Sequence, residues 1–433
     1  MIIMVLGATG FVGTHLTRKL LNEGHEIHAV ARTIETGQAL FPSATLIECD
    51  FAVQQNLEEW MLRMKNVDVV INCIGIFYHR NPSIVWQIHF NSPRVIFEAA
   101  LKAGVKKIIQ LSALAVEHYD SEYAKSKLEL DNYLLTLPVQ SLIFRPSFIY
   151  GPSSEGGMAL LMTMASFPVI PLPEKGEQLL QPIHIDTLCT AISNMVSLPP
   201  GPSHVLTAVS PTAISLKTIL GCLRHWLQLP KSIFVQVPMV LIKTMAWFGN
   251  FSSSSKINSP AISMLSRNNI ATAEETSAFY QITGVNPESF KEGLEKKPGT
   301  DGERWQARLG WLRPLLRLSL VFMWFASALT SAFFAQETSY LILKQAGVPD
   351  TLQSLLLFGA SFINFLLGLG LLFNFRTRSN CKVQLLIIVI YTLIISVQLP
   401  HYWLEPFGSV VKNIPIMVAI LILYFTEPVS SAH

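Results

Sequence analysis

The sequence predicts an α/β protein: a doubly wound parallel sheet with a small substrate lobe, followed by an all-α four-helix transmembrane domain. Three observations lead there. An unbroken apolar run opens the chain and stops at a glycine-rich turn. Strand-like and helix-like stretches then alternate to about residue 150. After about residue 310 charged residues become scarce and long apolar runs take over.

The opening, "MIIMVLGATGFVGTHLTRKLLNEGHEIHAVAR", reads as strand, tight turn, amphipathic helix, strand. Met1 to Leu6 is apolar throughout, as a strand buried on both faces of a parallel sheet requires. Gly7, Gly10 and Gly13 follow in G-x-x-G-x-x-G spacing. Gly7 permits the turn, Gly10 lets a pyrophosphate approach the backbone, and Gly13 lets the helix pack close to its strand. Thr9, Phe11 and Val12 stand at the helix N-terminus, where free amides and the helix dipole favour a phosphate. A glycine motif alone is weak; between a strand and a helix it is a Rossmann-type dinucleotide signature.

The second strand, "EIHAVAR", ends at Arg32, where an NAD-specific fold usually has a carboxylate for the ribose hydroxyls. An arginine suits a 2′-phosphate, so NADP is preferred, with NAD possible. Further strands read as "ATLIECD", "VDVVINCIG", "VKKIIQLSA" and "VQSLIFRP". Their ends carry Asp50 and Phe51, Asn72 followed by Cys73, Ile74 and Gly75, and then Ser112. In such a sheet these ends form the ligand crevice. "EYAKSKLEL" then places Tyr123 and Lys127 four apart, on one face of a helix.

These segments resemble the extended and atypical short-chain dehydrogenase/reductase superfamily: "GATGFVG", "NCIG", "YAKSK", "FRPSFIYGP" and "QPIHID" stand in family order across residues 1 to 190. "IIQLSAL" and "YAKSKLE" are most similar to the atypical branch that includes the nucleotide-binding accessory subunit of mitochondrial complex I. The resemblance implies Tyr123 as acid/base and Lys127 on the nicotinamide ribose, with nearby positive charge favouring the phenolate. It also implies a Ser or Thr two positions beyond Ser112 for the substrate oxygen. This chain has Leu114 there, leaving Ser112 as a weak substitute. Asn91 matches the family's helix asparagine; Arg145, Pro146 and Tyr150 to Pro152 resemble the segment entering the substrate region. His184 and Asp186 read as structural or substrate-lining, with the structural role favoured.

Residues 151–300 mix short helices with Pro-, Gly- and Ser-rich loops such as "LPPGPS" and "FSSSSKINSP" and read as the rest of the sheet and a small substrate lobe. "VPMVLIKTMAWFG" reads as a core helix rather than a membrane contact.

Residues 301–433 read as a linker and four spans, at about 316–336, 351–374, 383–402 and 408–426. About 20 helical residues cross a ~30 Å hydrocarbon core. Arg304, Arg308, Arg313 and Arg317 precede the first span, and Arg376, Arg378 and Lys382 lie between the second and third. The positive-inside rule then puts both termini, and the nucleotide domain, in the cytoplasm. The tail, with "HYWLEPFGSVVKNIP", resembles the DoxX-like membrane family, which implies a bacterial inner membrane as the location and a quinone or membrane redox partner. His401, Trp403 and Glu405 read first as an aromatic belt and second as a quinone or lipid site.

Composition narrows the rest. A net charge of +3 with no dense basic run argues against a nucleic-acid partner. Five scattered cysteines without a C-x-x-C pair argue against a disulfide framework or zinc site, and no histidines show metal-ligand spacing. An apolar N-terminus without a basic start argues against a signal peptide. The expected function is a membrane-anchored NAD(P)-dependent oxidoreductase acting on a hydrophobic or membrane-associated substrate. The alternatives are a non-catalytic NAD(P)H-binding module of a membrane redox complex, which Leu114 favours, and a nucleotide-sugar epimerase or dehydratase.

Overall fold

The computed structural model describes residues 1–152, 156–249, 268–406 and 408–427; the Ser-rich "FSSSSKINSP" lies outside them. The chain divides into two units, Met1–Ala307 and Arg308–His433.

In the first unit strands and helices alternate: β1 (Ile2–Leu6), α1 (Phe11–Asn22), β2 (Glu26–Ala31), α2 (Ile34–Leu40), β3 (Thr45–Glu48), α3 (Leu57–Arg63), β4 (Val69–Asn72), α4 (Pro82–Trp86), α5 (Ser92–Lys102), β5 (Lys107–Leu111), α6 (Glu122–Thr136) and β6 (Gln140–Pro146). Next come β7 (Ile149–Tyr150), α7 (Gly156–Ala165), β8 (Val169–Pro173), β9 (Leu179–Leu180), β10 (Ile183–His184), α8 (Ile185–Ser197) and β11 (His204–Ala208). The unit closes with β12 (Ile214–Ser215), α9 (Leu216–Trp226), β13 (Ile233–Val237), α10 (Met239–Gly249), α11 (Ala273–Thr283) and α12 (Phe290–Glu295).

Seven strands form one parallel sheet in the order β11-β6-β5-β4-β1-β2-β3. Strand order reverses between β1 and β4, so a crevice opens where their C-terminal ends diverge. Each face of the sheet has its own core. Leu16 and Leu20 of α1 pack with Leu188 and Ile192 of α8 against one face, and Phe97 of α5 and Leu130 of α6 against the other. A third cluster, from Tyr150 to Ala307, is the core of the smaller lobe. Its β8 pairs in parallel with β13.

Two polar side chains brace this sheet from within. Lys107, buried on β5, donates to the carbonyls of Met195 (2.5 Å), Val196 (3.1 Å) and Leu198 (2.7 Å). It thus satisfies the C-terminal carbonyls of α8, where a cation also suits the dipole. Asn72 donates to Gln110 Oε1 (2.7 Å) and accepts from the Ile74 amide (3.0 Å), fixing the exit of β4.

The second unit is helical. The long helix α13 (Asp301–Leu329) enters it, followed by α14 (Gln336–Gln345), α15 (Asp350–Leu372), α16 (Thr377–Gln398) and α17 (Asn413–Thr426). The helices over Asp301–Phe334, Asp350–Leu372 and Thr377–Gln398 are long and apolar enough to cross a membrane. The fourth run expected over 408–426 becomes a 14-residue helix from Asn413. At ~1.5 Å per residue it spans roughly 21 Å, short of the ~30 Å hydrocarbon core. Gly408 adopts a left-handed φ of 59°, and a turn occupies the residues before the helix.

Trp324, Leu371, Cys381, Ile388 and Ile420 fill the core of the bundle, while Phe322, Phe362, Leu386 and Phe425 point outward. Apolar surface facing out all round is what a helix bundle in lipid presents. Trp324 donates to Gln384 (2.9 Å), Gln384 to Asn380 (2.6 Å), and Asn380 to the Leu367 carbonyl (3.1 Å). This chain of bonds clips α13, α15 and α16 together.

Candidate functional site

The glycine turn explains itself atom by atom. Gly7 has φ +73°, and a Cβ there would stand 3.3 Å from the Cys73 carbonyl carbon. A Cβ on Gly13 would lie 2.1 Å from the Gly7 carbonyl oxygen, so the helix packs where a side chain cannot exist. Gly10 differs: its φ of −74° suits any residue, and a Cβ would meet only the Gly7 oxygen at 3.4 Å. What Gly10 keeps clear is the space in front of the turn. It is the N-cap of α1 without a side-chain cap, so the amides of Phe11, Val12 and Gly13 begin the helix with no capping oxygen. An oxyanion fits such a start. The residues present therefore fit a dinucleotide.

Around this turn the crevice carries the other expected cofactor residues. Thr9 is half-buried, Phe11 rests on His15 with ring centroids 5.4 Å apart, and His15 Nε2 lies 3.2 Å from the Pro152 carbonyl. Arg32 is exposed just after β2. Asp50 accepts from the Ala52 amide (2.9 Å) and the buried Phe51 follows it. Cys73, Ile74 and Gly75 leave β4 beside the turn, and burial pushes the Cys73 thiol up to about 12.

The pair on α6 reaches the same crevice. Ser121 caps the helix by accepting from the Ala124 amide (3.2 Å), which sets the first turn and Tyr123 with it. Lys127 is buried and donates to the carbonyls of Ile74 (2.9 Å) and Leu111 (2.8 Å), at the ends of β4 and β5. An ammonium has three donors, so one remains for a ligand. Burial draws the Lys127 pKa down to about 8, with Asp131 and Cys73 opposing. A Cβ on Gly75 would be 3.5 Å from its Nζ, so Gly75 keeps this cation open toward the crevice.

Tyr123 sits between Phe77 and His89, at centroid distances of 5.1 and 5.3 Å. Burial, then the Asp131 charge, push its phenol up to about 12. Both act against the phenolate, so in the protein alone Tyr123 holds its proton at neutral pH. The expected phenolate belongs to the state with an oxidised nicotinamide bound beside the pair.

Ser112, just past the end of β5, reads in the sequence as a weak substitute for the substrate contact and more readily as support for the nicotinamide or the sheet. Its hydroxyl donates to Asp131 Oδ2 (2.7 Å) in the buried interior. Asp131 Oδ2 also accepts from Arg145 Nε (3.1 Å), and Arg145 bonds Glu117. Leu114, at the position where a Ser or Thr was expected, is buried, its amide donating to the Pro146 carbonyl (2.9 Å). Asn91 lies on the exposed surface and donates to Gln87 (3.3 Å). His184 caps α8 by accepting from the Asp186 amide (3.2 Å), a structural role. Tyr150 is buried between His184 and Phe290. In the second unit Trp403 donates to Ser396 (3.0 Å), and Glu405 accepts from Ser409 (2.6 Å).

Two site residues escaped the sequence reading. His89 is buried behind Tyr123, accepts from the Ile76 amide through Nε2 (3.0 Å) and bonds Ser126 Oγ through Nδ1 (2.9 Å). The first bond makes Nε2 the acceptor and Nδ1 the protonated nitrogen. Burial and then Lys127 hold its pKa well below the usual range, so it stays neutral. Asp131, one turn past Lys127, is the second. Burial raises its pKa, which Ser112 and Arg145 pull back down. Its spacing from Tyr123 and Lys127 was the available signal.

Known proteins agree with this geometry. Residues 3–203 match the NAD dependent epimerase/dehydratase family and residues 321–421 the DoxX-like family. A ceramide reductase of Caulobacter vibrioides is 27% identical over 180 residues, covering 40% of this chain and 53% of that protein. Subunit 9 of the NADH dehydrogenase 1 alpha subcomplex of Rattus norvegicus is 24% identical over 208 residues, covering 45% and 53%. The chain thus spans about half the length of these curated relatives. Among solved structures, MoeE5 with UDP-glucuronic acid and NAD superposes with a TM-score of 0.52 at 19% identity, over 69% of this chain and 97% of that one. PbgP3 of Burkholderia pseudomallei gives 0.55 at 17% identity, over 71% and 98%. At such identities the likeness shows the fold. The chain therefore joins a domain of the NAD-dependent epimerase/dehydratase family, of short-chain dehydrogenase/reductase type, to a DoxX-like domain.

Proposed function

We propose that the protein is a membrane-anchored, NADP-preferring reductase of a hydrophobic or membrane-associated carbonyl substrate. The observation that carries this reading is Tyr123: a phenol held protonated at the crevice, one helical turn from a buried cation. The amides of Phe11 to Gly13 would hold the pyrophosphate, Arg32 the 2′-phosphate, Asp50 and Phe51 the adenine side, and Cys73 to Gly75 with Lys127 the nicotinamide ribose. When bound, the reduced dinucleotide supplies hydride to the carbonyl carbon. Tyr123 gives its phenolic proton to the carbonyl oxygen, and the Lys127 ammonium steadies the phenolate left behind. Held protonated at neutral pH, the Tyr123 phenol carries the proton that reduction needs and would first have to lose it to act as a base.

The apolar substrate class is inferred from Phe77 beside Tyr123, from Leu114 in place of a polar contact, and from the attached apolar helices. The name of the Caulobacter relative, a reductase of a lipid, agrees with it. Anchoring keeps the site near lipid-soluble substrate and raises its effective concentration. Arg376, Arg378 and Lys382, at the junction of α15 and α16, argue by the positive-inside rule for a dinucleotide domain on the cytoplasmic side, in our reading of a bacterial inner membrane.

A second reading, a nucleotide-binding module without turnover, is favoured by one fact: Leu114 is apolar and the Ser112 hydroxyl is already bonded to Asp131. The test is titration of the detergent-purified protein with NADPH and NADH, followed by NADPH consumption with long-chain carbonyl lipids. Binding weakened by Arg32→Ala, with turnover abolished by Tyr123→Phe at unchanged affinity, is expected. Tight NADPH binding with no turnover on any such carbonyl would favour the second reading. Dinucleotide that copurifies and does not exchange would favour a nucleotide-sugar epimerase or dehydratase.

A further inference from the structure

In the helical unit, cations gather at one end of the bundle without enough carboxylates to meet them. Arg317 of α13 bonds both oxygens of Glu427 through Nη2 (2.8 Å each), just past the end of α17. Arg378 and Lys382, one turn apart on α16, both face the ring of Tyr424, at 5.3 and 5.8 Å from its centre. Tyr424 stands three residues before Glu427, so three helices converge here. Between residues 308 and 427 the other carboxylates are Glu337, Asp350 and Glu405, which belong to the opposite helix ends. Of Arg317, Arg378 and Lys382, only Arg317 has an ion-pair partner among the described residues.

Two further facts point to an anionic ligand. The Nε atoms of Arg313, Arg317 and Arg378 are buried with no hydrogen-bond partner among the described residues. The three side chains are half-buried, and a shielded Nε donor without an acceptor is costly, a cost that a bound anion would relieve. Moreover Arg376, Arg378 and Lys382 crowd the N-terminus of α16, which has no acidic residue in its first turn. Cations there oppose the helix dipole, whereas an anion would be held by the dipole, the open amides and the side chains together.

We propose that this end of the bundle binds a phosphate group, that of an anionic phospholipid. Arg378 and Lys382 are the primary contacts and Tyr424 the platform between them. The lipid source is favoured because outward-facing Leu372, Phe375 and Phe425 adjoin the cations, offering acyl chains an apolar wall beneath the headgroup.

The full chain, in neutral detergent with equal amounts of phosphatidylglycerol and phosphatidylcholine, would be examined by native mass spectrometry. At least tenfold preferential retention of phosphatidylglycerol is expected. Arg378→Gln with Lys382→Gln should abolish the preference, and Lys382→Gln alone, which removes no hydrogen bond of the fold, should reduce it severalfold. Unchanged circular dichroism and NADPH affinity separate loss of the site from loss of the fold. Competition by excess inorganic phosphate alone, with no lipid preference, would assign the same site to free phosphate and overturn the lipid source. Equal retention of both lipids without phosphate competition, or a preference surviving in the double variant, would overturn the site itself.

Discussion

Gly13→Ala puts the glycine-turn reasoning at most risk. The added carbon would stand 2.1 Å from the Gly7 oxygen and 2.9 Å from the Ala8 Cα, both backbone atoms that cannot swing aside. Ordinary contact needs ~3.5 Å, so the first turn of α1 must withdraw by about 1 Å or more. Overpacking of this kind costs ~1–3 kcal/mol, offset by up to ~1 kcal/mol of gained helix propensity. Net destabilisation should therefore be ~0–2 kcal/mol, readable as a small shift in the urea midpoint. Dinucleotide binding should suffer more. The retreating amides lose charged hydrogen bonds of ~1.5–3 kcal/mol each, and one such bond is roughly tenfold or more in Kd.

Gly10→Ala is the companion measurement. Its Cβ meets the protein only at 3.4 Å and φ is −74°, so stability should barely change. Nucleotide affinity should still fall tenfold or more, because the carbon occupies the space left for a phosphate. Both variants would be titrated with NADPH by fluorescence and unfolded in urea. Full affinity in Gly13→Ala, or a Gly10→Ala loss explained wholly by unfolding, would refute the assignment of the turn.

Other consequences are equally direct. Tyr123→Phe should leave NADPH affinity within about twofold while abolishing turnover, read as NADPH consumption. Nucleotide affinity should decline as pH rises through about 8, where Lys127 loses its proton; an affinity flat to pH 10 would contradict that. The same shift has a stability sign. The unfolded lysine keeps its proton to near 10.5, so burial costs stability below about 8, and this is relieved as pH climbs between those values. Wild type should gain up to ~3 kcal/mol relative to Lys127→Met across that window, measured by urea unfolding. Asp131→Asn should destabilise by about 3 kcal/mol by leaving Arg145 only Glu117, and should move the Lys127 titration below about 8. Lys107→Met, which strips the α8 carbonyls of their donor, should cost ~2–4 kcal/mol in the same assay.

The parts of this molecule legible in its sequence are those encoded locally. Gly10 and Gly13 meet only atoms within a few residues and Gly7 has a positive φ, so the turn is written locally even though Gly7 also abuts Cys73. The apolar period of β1 and the same-face spacing of Tyr123 and Lys127 are local too. Ser112 shows the limit of such reading. Its place at a strand end leaves substrate, nicotinamide and sheet all open, and only the long-range bond it donates to Asp131 of α6 commits the hydroxyl. His89 meets the same limit: its bonds to Ile76 and Ser126 form only when α6 packs beside the π-turn at Gln87–Asn91. The short α17 is a third case, since hydropathy reads through the turn after Gly408 that shortens the helix.

Burial also orders the chemistry of the Tyr–Lys pair in a way no spacing conveys. One desolvation acts on both groups with opposite effect on proton affinity: it keeps the Tyr123 phenol protonated and loosens the Lys127 proton. Asp131 raises both pKa values, so it strengthens the tyrosine's hold on its proton while preserving the ammonium. Such a pair gives up a proton only when charge appears next to it, as an oxygen turning to alkoxide would provide. Between about pH 8 and 12 Tyr123 remains an acid while Lys127 is spent, so the upper limb of a reduction profile belongs to the lysine. Asp131→Asn should move that limb to lower pH without making Tyr123 a weaker acid. A limb that stays in place would locate the titrating group outside this pair.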